Sequence, residues 1–187
     1  PALANGMPDS CGFYETNTNL WKIAELHHTL IRMGVKAENI TYSRTSNGPH
    51  WPWVREDDDG VCNRPLSEIC EEVETGNYDM FISIHSNAAA DGSMTNYPLF
   101  LYRGKDGSDG DLAKGSWAMA NACWPYHWEN FIDHYSAYSL ENKNLRGDID
   151  FYGHEYSSTR SNGKVYKGYL GVLRHGTPGF LLEGFFH

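Results

Sequence analysis

Two ionisable side chains interrupt the most apolar stretches of the chain. His85 closes the run Phe81-Ile82-Ser83-Ile84-His85, and Glu183 lies inside Leu181-Leu182-Glu183-Gly184-Phe185-Phe186. A charge buried in apolar surroundings is costly unless a partner, a metal or a change of protonation relieves it, so both residues call for a reason. Imidazole and carboxylate are the donor types that hold a catalytic metal, and also the types that move protons. In open α/β sheets ligands gather at the carboxyl ends of strands, and both residues sit toward such ends. If their strands are neighbours, His85 and Glu183 frame one site.

Three further residues are candidates for the same site. Glu15 stands just ahead of a helix expected to start near Thr18; carboxylates in loops are more often simply solvated. Asn87, two residues past His85, could orient a ligand or contact substrate. Arg174 could grip a carboxylate with two parallel hydrogen bonds or form a salt bridge to Glu183. His85 also admits a plainer role, as a core histidine bonded to backbone. Six other histidines have contexts in which packing or surface roles are the default, His27 and His28 within a helix, and His127, His134, His154 and His175 in aromatic or loop segments, while His50, between Pro49 and Trp51, could be a substitute ligand although its loop has no metal-site spacing. The patterns GxSxG, HExxH, GxGxxG and the P-loop are absent, which disfavours a serine hydrolase, a helix-borne metalloprotease and a nucleotide enzyme.

The elements that would position these residues are legible from periodicity. Leu20, Ile23, Ala24, His27, Leu30 and Ile31 recur at helical spacing, with Asn17 or Thr18 as cap and Gly34 as stop, which predicts a helix over residues 18–33. A β-rich run follows at 39–45, closed by the turn residues Ser46-Asn47-Gly48-Pro49. Pro65 and Gly76 bracket a second helix, and residues 78–86 form a strand apolar on both sides, as in the centre of a covered sheet. Residues 95–104 read as a strand, 111–126 as a helix broken near Pro125, and 178–186 as the last strand. Between about 126 and 168 the pattern weakens into loops and short elements. Trp128, Phe131, Ile132 and Tyr135 nonetheless follow helical spacing, and this aromatic stretch could pack over the sheet or face a substrate. The fold class predicted is α/β, a single mainly parallel or mixed twisted sheet with helices on both faces, with residues 1–187 as one domain.

Composition narrows the function. Fifteen Lys and Arg against 24 Asp and Glu leave a net charge of −9 without a basic run, which argues against nucleic acid or an anionic membrane surface as partner. No apolar stretch is long enough to span a membrane. Cys11, Cys62, Cys70 and Cys123 lack CxxC spacing, so a zinc knuckle is a poor fit, and both disulfides and free thiols remain open. The abrupt start at Pro1 and end at His187 read as cut ends of a longer chain.

Taken together, the motifs resemble the zinc-dependent N-acetylmuramoyl-L-alanine amidases, the type 3 family of peptidoglycan hydrolases. The matching pieces run in order along most of the chain: Glu15 ahead of Asn19-Leu20, Ser43-Arg44-Thr45, Arg64 opening a helix, Tyr78 through Ala88, Val172-Leu173-Arg174, Pro178, and Leu181 through Phe186. The resemblance implies a zinc ion held by Glu15, His85 and a further histidine expected upstream of Pro1, with Glu183 as catalytic acid/base. It implies cleavage of the amide between N-acetylmuramic acid and L-alanine, a peptidoglycan glycan-peptide as substrate, an extracytoplasmic location, and room for a regulatory protein partner. Two rivals stand beside this expectation: a zinc peptidase acting on the stem peptides, and a metal-free peptidoglycan-binding domain on the same scaffold.

Overall fold

The structure, a computed structural model, describes residues 15–44, 64–87, 98–107, 115–127, 129 and 145–186, with backbone alone at 15–17 and 185–186. The chain divides into two compact units, residues 1–65 and 66–187. In the first, helix α1 spans Glu15–Arg32, three residues earlier at its start than the spacing predicts. It ends where Gly34 adopts φ +99°, the left-handed conformation that glycine enters without steric cost. A 3-10 turn, Ala37–Asn39, follows.

Residues 40–44 depart from expectation, because they join no strand ladder among the described residues. β-branched and aromatic residues favour a strand only where neighbours supply hydrogen bonds and packing. Tyr42 finds its packing elsewhere, stacked on His27 of α1 with ring centroids 5.3 Å apart.

The second unit is built on a four-stranded sheet. Its strands are β1 (Phe81–Asn87), β2 (Leu99–Tyr102), β3 (Leu145–Gly147) and β6 (Gly179–Phe186), in the spatial order β1-β6-β2-β3. β1 runs parallel to β6, β6 antiparallel to β2, and β2 parallel to β3, so the sheet is mixed. Period-2 alternation sorts the side chains. Leu99, Leu101 and Leu181 form one apolar cluster with Val172 and Leu173, while Phe100, Tyr102 and Phe180 form the other with Ala120.

Helices cover both faces, as the two-sided apolarity requires. On the Phe100 face, helix α3 (Ser116–His127) lays down Trp117, Met119, Ala120 and Trp124. It passes through Pro125 instead of breaking there, and ends two residues later at His127. A proline this near the end of a helix removes one hydrogen bond without a full turn left to disrupt. On the Leu99 face lie the 3-10 turn Gly171–Leu173 and residues Phe151 and Tyr152 of the short helix α4, Asp148–Tyr152. Helix α2, Leu66–Thr75, is tied to that turn by the Cys70 thiol, which donates to the carbonyls of Gly171 at 3.2 Å and Val172 at 3.4 Å.

A separate hairpin, β4 (Tyr156–Thr159) with β5 (Val165–Gly168), emerges from the stretch that the sequence leaves irregular. A buried carboxylate anchors it. Glu74 accepts hydrogen bonds from Tyr166 Oη at 2.8 Å, Gly176 N at 2.7 Å, Asn162 Nδ2 at 2.7 Å and Lys164 Nζ at 3.2 Å. Burial alone would raise the pKa of Glu74, but these donors outweigh it and hold it at about 2. Asp148, fully buried, accepts from Gly104 N at 2.9 Å and Leu170 N at 2.8 Å.

His175, expected at the surface, is instead 1% exposed, with its ring edge-on to Phe81 at 4.9 Å. Burial, followed by the charges of Arg103 and Arg160, brings its pKa down to about 4, against a smaller opposing pull from Glu74. A depressed pKa means that the unfolded chain binds a proton which the folded imidazole refuses. The stability this contributes is complete above the ordinary value of 6.5 and is lost as pH falls toward 4. The share from Glu74 is complete above 4.5 and is lost only lower, toward 2. Melting temperature followed from pH 6.5 to 4 should fall less steeply in His175→Phe than in the wild type; equal slopes would show that His175 does not titrate in this way.

Candidate functional site

Parallel pairing of β1 with β6 decides where the two candidate residues meet. The register aligns Phe81 with Gly179, Ser83 with Leu181 and His85 with Glu183. On the far side of β6, Leu99 of β2 is the partner of Glu183. His85, Glu183 and Leu99 therefore form one row across three strands, on the face that carries the Leu101 and Leu181 cluster. Adjacent strands lie about 4.8 Å apart, so the His85 and Glu183 side chains are immediate neighbours. Because the strands are parallel, both residues also stand toward the same end, the carboxyl end.

The surroundings of this pair are mixed in polarity. Leu99, Leu101 and Leu181 beneath and beside it are 0%, 0% and 4% exposed and make a dry floor. His85 and Glu183 themselves are half-buried, with Oε2 of Glu183 sealed from solvent. Just past the pair the register slips: Asn87 faces Phe186, so three residues of β6 oppose two of β1. Such bulges bend a strand and re-aim its side chains, and they recur next to active sites. Gly184 lies in this one, and Asn87, half-buried, closes β1 beyond it.

The other candidates fall as follows. Glu15 is the first residue of α1 and thus belongs to a helix, not a loop; its side chain lies outside the described residues, as do His50, His134 and the aromatic stretch 131–138. Arg174 follows the 3-10 turn and makes no ion pair with Glu183 among the described residues. Its guanidinium carbon instead lies 5.9 Å over the ring of Tyr156. His27 and His127 are engaged in ring contacts with Tyr42 and Phe100. Cys70 and Cys123 are free thiols, whereas Cys11 and Cys62 lie outside the described residues.

Imidazole from His85 and a neighbouring carboxylate fit zinc by donor type. No group of three His, Cys, Asp or Glu side chains converges among the described residues. Sequence reasoning missed the buried polar groups of the second unit, Glu74, Asp148, Arg103 and Arg160. Their partners come from distant segments, and no spacing announces them. A cavity of about 490 Å³, lined by Glu74, Tyr78, Arg103, Tyr166 and Pro178 among others, lies toward the amino end of β1, away from His85.

No family model matches the chain, and no curated protein matches it. Solved structures do. An N-acetylmuramoyl-L-alanine amidase from Clostridium difficile 630 aligns with TM-score 0.61 at 17% identity, over 97% of this chain and 73% of that one. The chain has the amidase fold. AmiC2, an N-acetylmuramoyl-L-alanine amidase of Nostoc punctiforme, aligns with TM-score 0.57 at 19% identity over 97% of this chain and 72% of its own. The CwlD amidase of Clostridioides difficile, solved in complex with the GerS lipoprotein, aligns with TM-score 0.58 at 15% identity over 96% and 74%. In this amidase fold the neighbouring placement of His85 and Glu183 follows from strand order and register alone.

That adjacency has a measurable consequence. In a double-mutant cycle on unfolding free energy, His85→Ala and Glu183→Ala should deviate from additivity by about 0.5–3 kcal/mol, as residues in contact do. Additivity to within about 0.3–0.5 kcal/mol, measured by denaturant unfolding, would mean that the two side chains do not interact.

Proposed function

We propose that the protein is a zinc-dependent N-acetylmuramoyl-L-alanine amidase, hydrolysing the amide that joins the lactyl group of N-acetylmuramic acid to L-alanine in bacterial peptidoglycan, outside the cytoplasm. The observation that carries this reading is the His85–Glu183 pair at the carboxyl edge of two parallel strands, in a fold shared with solved amidases. The net charge of −9 and the absence of a basic run agree with a substrate other than nucleic acid. Among the described residues no helix is long and apolar enough to cross a membrane.

In this reading, as the family resemblance implies, His85 and Glu15 would hold the metal together with a further histidine. Zinc held there would supply a Lewis acid for the amide carbonyl and for a water molecule near neutral pH. Glu183 accepts a proton from the attacking water and then delivers it to the nitrogen of L-alanine as the C–N bond breaks. The products are the lactyl carboxylate on the sugar and a free amine on the peptide. Leu99, Leu101 and Leu181 keep bulk water from beneath Glu183, so that its proton passes to the leaving group. Asn87, at the end of β1, would orient the amide. His85 and Glu183 stand at the carboxyl ends of their strands, which a regulatory protein partner would cover or open.

Digestion of purified muropeptides by the full-length protein, followed by mass spectrometry, should yield free stem peptide and bare sugar, and a chelator should abolish both. Cleavage that survives chelation would exclude the zinc mechanism, and cuts confined to the peptide would point to a peptidase. Glu183→Gln should lower the rate by about 10²–10⁴ while leaving metal content unchanged by elemental analysis. Wild-type turnover in that variant would remove Glu183 from the chemistry.

A further inference from the structure

Arg160 and Arg174 gather at one corner of the second unit, and among the described residues neither has a counter-ion. Arg160 is 7% exposed and donates from Nε to the carbonyl of Arg174 at 2.9 Å and from Nη1 to the carbonyl of Ser67 at 3.3 Å, both neutral acceptors. Arg174 is half-buried; its Nε is sealed from solvent and donates no hydrogen bond. Burial pushes the Cys70 thiol pKa up, and the positive charges of Arg160 and Arg174 pull against it.

No carboxylate forms an ion pair with either arginine among the described residues. Glu71, on the neighbouring turn of α2, is taken by the amide and hydroxyl of Ser161. Glu74 is occupied by Tyr166, Gly176, Asn162 and Lys164. In a chain with 24 acidic residues and a net charge of −9 this is not a shortage of anions. Like charges repel strongly where water is scarce, and a desolvated cation is stable only when matched. An anion from outside would complete the arrangement.

The wall beside Arg174 is aromatic. Tyr156, 54% exposed, leans on Tyr169 at 5.7 Å, and Tyr169 stacks on Tyr152 at 3.9 Å with the rings 14° from parallel. Tyr152 and Leu170 pack against the cluster of Leu99, Leu101, Val172, Leu173 and Leu181, which lies on the sheet face that carries His85 and Glu183. Once the lactyl carboxyl is tied up in the amide, the N-acetylated sugars of peptidoglycan are neutral. A carboxylate that meets Arg174 must then come from the peptide.

We propose that Arg174, flanked by Tyr156 and Tyr169, is a subsite that binds a carboxylate of the stem peptide. This rests on the amidase reading for its occupant. Arg174 offers the planar fork that a carboxylate matches with two hydrogen bonds, and Arg160 adds a second positive charge behind it.

The test uses two muropeptides with the full chain, N-acetylmuramoyl-L-alanyl-D-glutamate and its counterpart in which both glutamate carboxyls are converted to amides. The wild type should prefer the carboxylate form in kcat/KM by about 10- to 100-fold, the discrimination expected of a charged hydrogen bond. In Arg174→Gln this ratio should collapse toward one, with KM carrying the loss, and Arg174→Lys should fall between, keeping charge without the fork. Separately, titration of the wild type with N-acetyl-L-alanyl-D-glutamate should shift the Arg174 Nε–H resonance saturably, and the amidated peptide should not. If neither muropeptide is cleaved but the resonance shifts, the amidase reading fails and the subsite stands. A wild type without preference between the muropeptides, or a resonance that does not move, overturns the subsite, as does an Arg174→Gln variant that slows both substrates alike.

Discussion

Hydrogen bonding between β1 and β6 is the constraint on which the site depends. Parallel strands bring residues of equal register to the same face and the same end, and a slip of one residue would turn Glu183 to the opposite face. Several features pin that register. Phe81 N donates to Pro178 O at 2.8 Å, and Gly179 N donates to Ser116 Oγ at 3.0 Å, which fixes the start of β6 against both β1 and α3. Gly179 lies so close to the Phe81 carbonyl that a Cβ there would collide with backbone. The apolar alternation then does the rest: Leu181 belongs with Leu99 and Leu101, and Phe180 with Phe100.

Buried polarity is used differently at the two ends of this unit. Around Glu74 and Asp148, carboxylates are saturated by backbone and side-chain donors from the hairpin and the loops before β6. Such a network rigidifies the loops it ties together and has little capacity left for a ligand. At the carboxyl end of β1 and β6 the arrangement is sparer, an imidazole and a carboxylate above an apolar floor. Full satisfaction suits anchorage. A reacting group needs room for an incoming atom.

The strongly patterned elements are legible in the amino-acid sequence: α1, α2 and strands β1, β2 and β6 follow from apolar spacing and from Pro65, Gly34 and Gly76 at their limits. His85 and Glu183 are legible for a related reason, since a polar residue within a continuous apolar run is visible against its background. Periodicity supplies nothing that is decided by a partner distant in the chain. Residues 40–44 have strand composition but no ladder, and His175 reads as a loop histidine yet fills a space beside Phe81. The β4–β5 hairpin is short and aromatic, and its anchor, Glu74, sits on a helix about ninety residues away, as the bonds to Asn162 and Tyr166 show. Arg174 stands out in the sequence, but its setting does not, because Arg160 and Tyr156 have no sequence relation to it that a pattern would reveal.

The row His85–Glu183–Leu99 also gives the site a direction. On the β2 side Glu183 meets Leu99, fully buried and without a polar atom in its side chain; on the β1 side it meets His85. Any polar atom that joins Glu183 must therefore come from the β1 side or from above the strand ends, since the β2 side is closed. The bulge at Gly184 lies beyond Glu183 on that open side, and three residues of β6 there span what two of β1 do. A carboxylate fixed between a dry wall and a distorted strand end has few orientations to choose from. Such restriction agrees with the proton transfer proposed for Glu183, because transfer is efficient only when the acceptor is held within hydrogen-bond reach of the atom it serves.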